Sequence, residues 1–400
     1  MGAAPSGRIT VNPAPPVAAS TGAMDLEQAA ARLALHPRAA PIPRSVAAAL
    51  LGLPAPAATT VLGRLHRAGW IEPAGQAWSP PRPMGDKRLR LSAQEARVAV
   101  AAMAARYTRT ATVCDAALDP TLPRPPALAA PFRAVFTRPD ALTWMHQHFA
   151  VLAELVGLLL RHRAGQGAVW RLAAACTAYL HLMGPPVAQE WVYVAAQGAR
   201  AARRASEEQA RLHLLGLLAS GYLAGGHHDQ AKQVALRLHT QARRSKASWA
   251  AAYSQVLLAR AHAAAGAGWA GVHSARHAAA EFHRAGDDRG LGQAQAAWGQ
   301  ALLAQQRPGE AVLLLGQAVI GLDAAGAEVS AAQARLELAR AHAAQGPTGA
   351  LRAEHLLLKV RTDAGRLGAQ ALRRQANTLL AACRRHRTAP AAPRRPPIRR

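Results

Sequence analysis

The chain predicts an all-α fold: a small winged-helix domain followed by an α-solenoid of stacked helical hairpins. Three observations predict it. Half of the 400 residues are apolar while only 4% are aromatic, and Ala carries much of the apolar share. Ala is the strongest helix former and lets helices pack closely. The usual strand builders Val, Ile, Tyr and Phe are scarce, and no run of alternating apolar residues is long enough to read as a sheet. From residue 141 onward a helix–turn–helix pattern recurs, which is the mark of a repeat array.

The elements follow in order. Residues 1–24 hold prolines and small residues and read as a disordered N-terminus. Asp25 can cap a helix running to about His36, with Leu26, Ala29, Ala30 and Leu33 on one face. Pro37, Pro41 and Pro43 end it. A short helix over Val46 to Leu51, the turn Gly52-Leu53-Pro54 and a second helix from about Pro56 to Arg67 come next. Gly69 suits a helix C-cap, and Trp70 and Ile71 would start a wing strand that ends near Trp78. Helix, tight turn, helix and strand pair is a winged-helix order, which sets that domain at 25–84. A helical linker follows at 85–140, with a long helix from Ser92 to about Leu118 and a proline-rich connector after it.

The array is placed at 141–386. Leu215-Gly216, Leu258-Ala259, Trp298-Gly299 and Leu338-Ala339 each fall mid-helix with a small residue second. A turn follows each: Gly225-Gly226, Gly266, Arg307-Pro308 and Gly346-Pro347. The next helices carry an early Ala at 231, 275 and 311. A small residue lets the partner helix approach, and hairpins that cannot bury an apolar face alone must stack. The units are therefore tetratricopeptide-like. An earlier pair, about 168–183 and 187–204, fits the same frame less well, and a helix at 368–386 would cap the array. Residues 387–400 read as a disordered basic tail.

The formal net charge is +26, from 48 basic and 22 acidic residues, which favours anionic partners without identifying one. Cys114, Cys176 and Cys383 form no C-x-x-C and read as buried free thiols of a reducing compartment. No apolar stretch reaches the ~18 residues a membrane span needs, and the N-terminus lacks a continuous apolar signal core. A cytoplasmic location is the expectation.

Val46 to Glu72 is similar to the winged-helix core of the bacterial signal-transduction ATPases with NB-ARC domains, in particular the antibiotic-regulatory transcription regulators of the AfsR type. Tyr107 to Leu118 resembles that family's linker helix. Asp140 to Val156, with Trp144, resembles the stretch that opens its repeats, and Gly286-Asp287-Asp288 resembles its inter-repeat turn. The resemblance covers roughly residues 36–346 and implies a bacterial transcriptional regulator. Two features depart from the family. No Walker A motif precedes the winged helix, the nearest string being Gly2 to Arg8 with Arg in place of Lys. Met84-Gly85-Asp86 stands where the family carries a Met-His-Asp nucleotide sensor. Both imply that nucleotide switching is absent or resides in another chain.

The chemistry-bearing residues point away from catalysis. Glu207-Glu208 and Asp287-Asp288 sit at helix starts, where acids complement the dipole. His273 and His277 are i, i+4 and His227-His228 are adjacent, but neither pair has a third ligand, so no metal site and no cofactor are expected. On the second winged-helix helix, Thr59, Thr60, Arg64, His66 and Arg67 are the candidate DNA contacts. On first helices of the array, Arg211, Gln255, Arg260, Gln295 and Arg335 are the candidate partner-groove residues. The expected function is a non-catalytic protein-interaction scaffold in bacterial transcriptional regulation, with a protein or peptide in the repeat groove. The two alternatives are a DNA-binding regulator that reads duplex through the winged helix and a remnant of a larger NB-ARC regulator.

Overall fold

A computed structural model describes residues 24–38, 40–81, 91–128 and 136–388. Gly2 to Arg8, Met84-Gly85-Asp86 and nearly all of the expected tail lie outside the described residues. The chain begins with helix α1 (Leu26–Leu33), whose cap is Asp25 accepting from the Glu27 amide. A short strand β1 (Ile42–Pro43) runs straight into α2 (Arg44–Leu51). Gly52 then ends α2 in the left-handed conformation at φ 70°, which costs glycine little because it has no Cβ. Helix α3 (Ala55–Arg67) leaves α2 at 94°. Strands β2 (Pro73–Ala74) and β3 (Ala77–Trp78) close the unit in an antiparallel sheet of order β1-β3-β2, with Ile42 and Pro73 both facing Trp78 in register. The strands are shorter than the sequence suggests. The Trp70 amide instead closes the end of α3 on the Leu65 carbonyl, and Ile71 is buried beneath it.

Helix α4 (Ala93–Leu118) opens with a capping box, Ser92 and Glu95 each bonding the other's backbone amide. Its inner face, Val100, Met103 and Tyr107 among others, is buried in the core that the first unit shares with α5 (Arg138–Arg161). The helix expected over 168–183 is two helices, α6 (Gln166–Ala174) and α7 (Thr177–Met183). Asp115, at the end of α4, supplies the reason: its Oδ1 accepts from the Ala178 amide at 2.5 Å. The Thr177 hydroxyl takes the Ala174 carbonyl that this amide would otherwise have used. A carboxylate 63 residues away thus replaces one rung of the helix.

The array proper is α8 (Ala188–Arg204), α9 (Glu208–Ala224), α10 (His228–Arg244), α11 (Ser248–Ala264), α12 (Gly268–Ala285), α13 (Asp288–Ala304), α14 (Pro308–Ala324), α15 (Glu328–Ala343), α16 (Pro347–Leu367) and α17 (Gln370–Thr388). The four Leu-small and Trp-small pairs all fall mid-helix, in α9, α11, α13 and α15. One device joins the helices. Ser206, Gly226, Lys246, Gly266, Gly286, Gln306, Gly326 and Gly346 have positive φ and recur every 20 residues. From 206 to 326 each of these turns also closes with a six-to-one backbone bond, such as Ala267 amide to His262 carbonyl and Ala327 amide to Leu322 carbonyl. The hairpin repeat is therefore 40 residues, longer than the ~34 of a standard tetratricopeptide unit.

The last helices of the array return to α5. Leu142 of α5 packs on Gly368 at the α16–α17 turn. Glu328 bridges Arg138 of α5 and Arg366 of α16, each at 2.8 Å. No single helix is long and apolar enough to cross a membrane among the described residues.

Candidate binding cavity

Curvature leaves a cavity of about 660 Å³ on the inner side of the array. Successive first helices of the hairpins supply its wall: Ser220 from α9, Arg260 from α11, Gln293 and Gln300 from α13, and Ser330, Gln333, Glu337 and Arg340 from α15. Gln375 of α17 and His181, Leu182 and Pro185 at the end of α7 complete the rim. Leu223, Leu303, Leu322, Leu336 and Leu372 give apolar floor between these polar groups. Sharing that wall is a recess of about 60 Å³, faced by His213, Arg289, Trp249 and Tyr253.

The chain's own connector enters this recess. Leu122 and Pro123 face it, and Asp119 pairs with Arg289 of α13 at 3.2 Å. Arg289 also donates to the Thr121 hydroxyl. Burial would raise the Asp119 carboxyl, but Arg289 and Thr121 outweigh it and hold it below the usual range. Arg124 anchors the same segment. Its Nε donates to Asp115 at 2.8 Å and its Nη2 to the carbonyls of Asp115 and Asp119. Asp115 is 1% exposed, and burial pushes its carboxyl up to about 6 against the pull of Arg124. It is still ionised at pH 7.

Two histidines on the wall are neutral. Burial drops His181 to about 3, with Arg260 and Arg289 adding to the effect. Burial drops His213 to about 4, with Arg124 adding, and its Nε2 lies 2.9 Å from the Thr177 hydroxyl. The ionised side chains on the combined wall are Asp119, Arg260, Arg289, Glu337 and Arg340. Asp119 pairs with Arg289 and Glu337 with Arg340 at 2.7 Å. Arg260 has no carboxylate partner among the described residues, and its buried Nε has no hydrogen-bond partner there.

The sequence-selected groove residues scatter. Arg260 lines the cavity. Arg211 pairs with Glu208 on its own helix, Gln255 donates to His239 of α10, and Gln295 donates to Gln317 of α14. Arg335 is not a groove residue: at 6% exposed it is buried between Asp323 of α14 and Asp363 of α16. Gln293, Gln333 and Glu337, which face the cavity, lie two residues from Gln295 or Arg335. A shift of two residues turns a helix face by about 200°.

On α3, Thr59, Thr60, His66 and Arg67 are exposed and Arg64 is half-buried. The Thr59 and Thr60 hydroxyls donate back to the Ala55 and Pro56 carbonyls. His66 bonds the Ile71 carbonyl at 3.1 Å and packs on Trp78. Arg67 donates to the Gly63 carbonyl. Of the acid pairs, Asp287 caps α13 by accepting from the Gly290 amide and also holds the Trp249 indole, whereas Glu207 stands at the start of α9 without a side-chain cap bond. Cys114, Cys176 and Cys383 are free and buried, and burial raises all three thiols. Among the described residues no group of three His, Cys, Asp or Glu side chains could hold a metal ion.

No family profile and no curated protein matches the chain. Several solved structures are similar in fold. A Rap protein complexed with competence and sporulation factor shares 12% identity, covers 61% of this chain and 72% of its own, and superposes with a TM-score of 0.39. A signal-transduction ATPase with numerous domains from Pyrococcus horikoshii, with a tetratricopeptide repeat sensor, shares 13% identity and covers 90% of this chain, which spans 53% of that one, at a TM-score of 0.40. The tetratricopeptide-like repeats of a Podosopora anserina kinesin light chain share 23% identity over 55% of this chain and 96% of theirs, at 0.34. Scores this low carry no inference about ligand or activity. The helical-hairpin solenoid stands on the chain's own elements.

Proposed function

We propose that the protein is a non-catalytic binding scaffold whose repeat array takes a peptide, or an extended segment of a protein, into its inner cavity. The observation that carries this reading is the wall itself. Gln293, Gln300, Gln333 and Gln375, on α13, α15 and α17, present amides that have no partner among the described residues and face one space. An amide side chain offers both donor and acceptor, which suits an extended backbone, and the leucines between them suit its side chains. A volume of about 660 Å³ accommodates a few residues. The test is retention of a degenerate hexapeptide pool by the full chain. Gln293→Leu combined with Gln333→Leu should cut retention at least tenfold; unchanged retention would remove the cavity from the proposal.

A second reading concerns the first unit. The 94° angle between α2 and α3, their three-residue turn and the β1-β3-β2 sheet support a winged-helix unit. With the resemblance to AfsR-type regulators, that unit favours a setting in bacterial transcriptional regulation. Direct reading of duplex DNA is the alternative role, through Arg64 and Arg67 as phosphate or base contacts. Fluorescence anisotropy across a salt series discriminates, using the full chain and a version ending at Thr388, where α17 ends. Sequence-dependent binding that survives ~150 mM salt without the tail establishes a DNA reader. Sequence-blind binding lost with tail or salt is counterion release by arginine.

A further inference from the structure

Among the described residues the cavity wall holds one uncompensated charge, and its position is specific. Arg260 projects from α11 into the space shared by the cavity and its recess. Every other ionised group on that wall is paired, whereas Arg260 faces no carboxylate among the described residues. Nor do the neighbouring histidines share the charge, since His181 stays neutral beside it. A guanidinium brought partly out of water gains most from a planar anion that accepts two of its N–H groups at once.

The chain shows that chemistry next door. In the same recess Asp119 of the connector lies against Arg289, with both Nη atoms directed at its two oxygens, at 3.4 and 3.2 Å. A carboxylate on the chain's own connector is thus already bound by an arginine on the inner face of the array. Arg260 repeats the receptor half of that arrangement without its ligand.

We propose that the cavity recognises ligands bearing a carboxylate, and that Arg260 is the residue that binds it. The proposal rests on the cavity being the peptide site and adds the chemical class of its occupant. A peptide can present this group from its C-terminus or from an Asp or Glu side chain. Gln293 and Ser330, which border the same space, remain to hold the adjoining backbone.

Three degenerate hexapeptide pools test it on the full chain: free C-terminus without Asp or Glu, amidated with Asp and Glu, and amidated without either. Bound peptide is recovered by gel filtration and quantified by mass spectrometry. The expected result is that the first pool, the second or both are retained about tenfold or more over the third, as a charge-assisted bond implies. Retention of the first alone assigns the terminus, and of the second alone the side chain. In Arg260→Gln the preference should fall to within about twofold while residual retention persists, and Arg260→Lys should restore part of it. Equal retention of all three pools, or a preference that Arg260→Gln leaves intact, overturns the carboxylate assignment and leaves the cavity as a peptide site. No retention of any pool overturns both. Unchanged helical circular dichroism in each variant keeps a folding defect from being read as a binding defect.

Discussion

At the scale of single residues, the turns and the histidines set the stability of this chain. In the array, eight turns from 206 to 346 need a left-handed residue, and five of them have glycine. Ser206, Lys246 and Gln306 occupy the others at φ 58°, 55° and 59°. A side chain in this conformation crowds the following carbonyl and costs roughly 1–2 kcal/mol, of which the greater freedom of an unfolded glycine returns about half. Each of Ser206→Gly, Lys246→Gly and Gln306→Gly should therefore stabilise the protein by about 0.5–1 kcal/mol, read as a rise in urea midpoint. Gly286→Ala should cost a similar amount. The histidines give a pH dependence of determinate sign. Burial lowers His36 to about 4, His181 to about 3 and His213 to about 4. Unfolded, each would titrate near 6.5, so the unfolded chain binds more protons below that value. Stability is fully present above about pH 6.5 and falls as pH drops toward the folded values. Asp115, raised to about 6, works in the opposite direction between about pH 4 and 6, but it is one group against three. Thermal melts from pH 7.5 to 4.5 should show Tm declining with acidity, and His213→Gln should flatten the slope. A Tm that holds steady down to pH 5 would contradict the burial of these imidazoles.

At the scale of elements, close approach of helices depends on what lacks a side chain. Gly299 of α13 lies against Leu315 of α14, so an added Cβ would overlap that leucine. Gly299→Val should cost about 1–3 kcal/mol through overpacking, with loss concentrated in the second half of the array. Hydrogen exchange should show α13 and α14 losing protection while α4 and α5 keep theirs. Uniform protection would mean the helices have slack there. These helices were legible in the sequence because spacing and turn residues act locally: the Leu-small pairs, the capping Ser92 and the glycines after α9, α11, α12 and α14 each state their role within a few residues. The 20-residue rhythm was harder to see, since Ser206, Lys246 and Gln306 disguise three of its eight beats. The break between α6 and α7 was invisible because its cause, Asp115, lies on another helix. The inner face was misread for a related reason. α9, α11, α13 and α15 are flanked by helices on two sides, and buried residues ring them. Polarity therefore did not mark the cavity side, and Arg335 is as buried as a leucine.

At the scale of the whole molecule, the question is what keeps a stack of hairpins curled around its cavity. The outer clasp is weak. Arg366 is 58% exposed and Glu328 is half-buried, and ion pairs this open to water contribute about 0–1 kcal/mol each. The inner contact differs in kind: the side chains of Arg289 and Asp119 are 11% and 10% exposed, and they join the α4–α5 connector to α13, 170 residues away. Removing one member leaves the other charged, buried and without its counter-ion, which costs about 3–5 kcal/mol. Removing both deletes attraction and desolvation together and is much cheaper. Asp119→Ala and Arg289→Ala should each lower Tm clearly, and the double variant should recover a large part of the loss. If the pair also sets the curvature, small-angle scattering will show a larger radius of gyration in both single variants, with the far ultraviolet circular dichroism still helical. The alternative is that the apolar seat of Leu142 on Gly368 sets the closure. In that case the single variants lose stability at unchanged radius, and Gly368→Leu alone opens the array. The two outcomes assign the curvature, and with it the width of the cavity, either to a buried charge pair or to a packed seam.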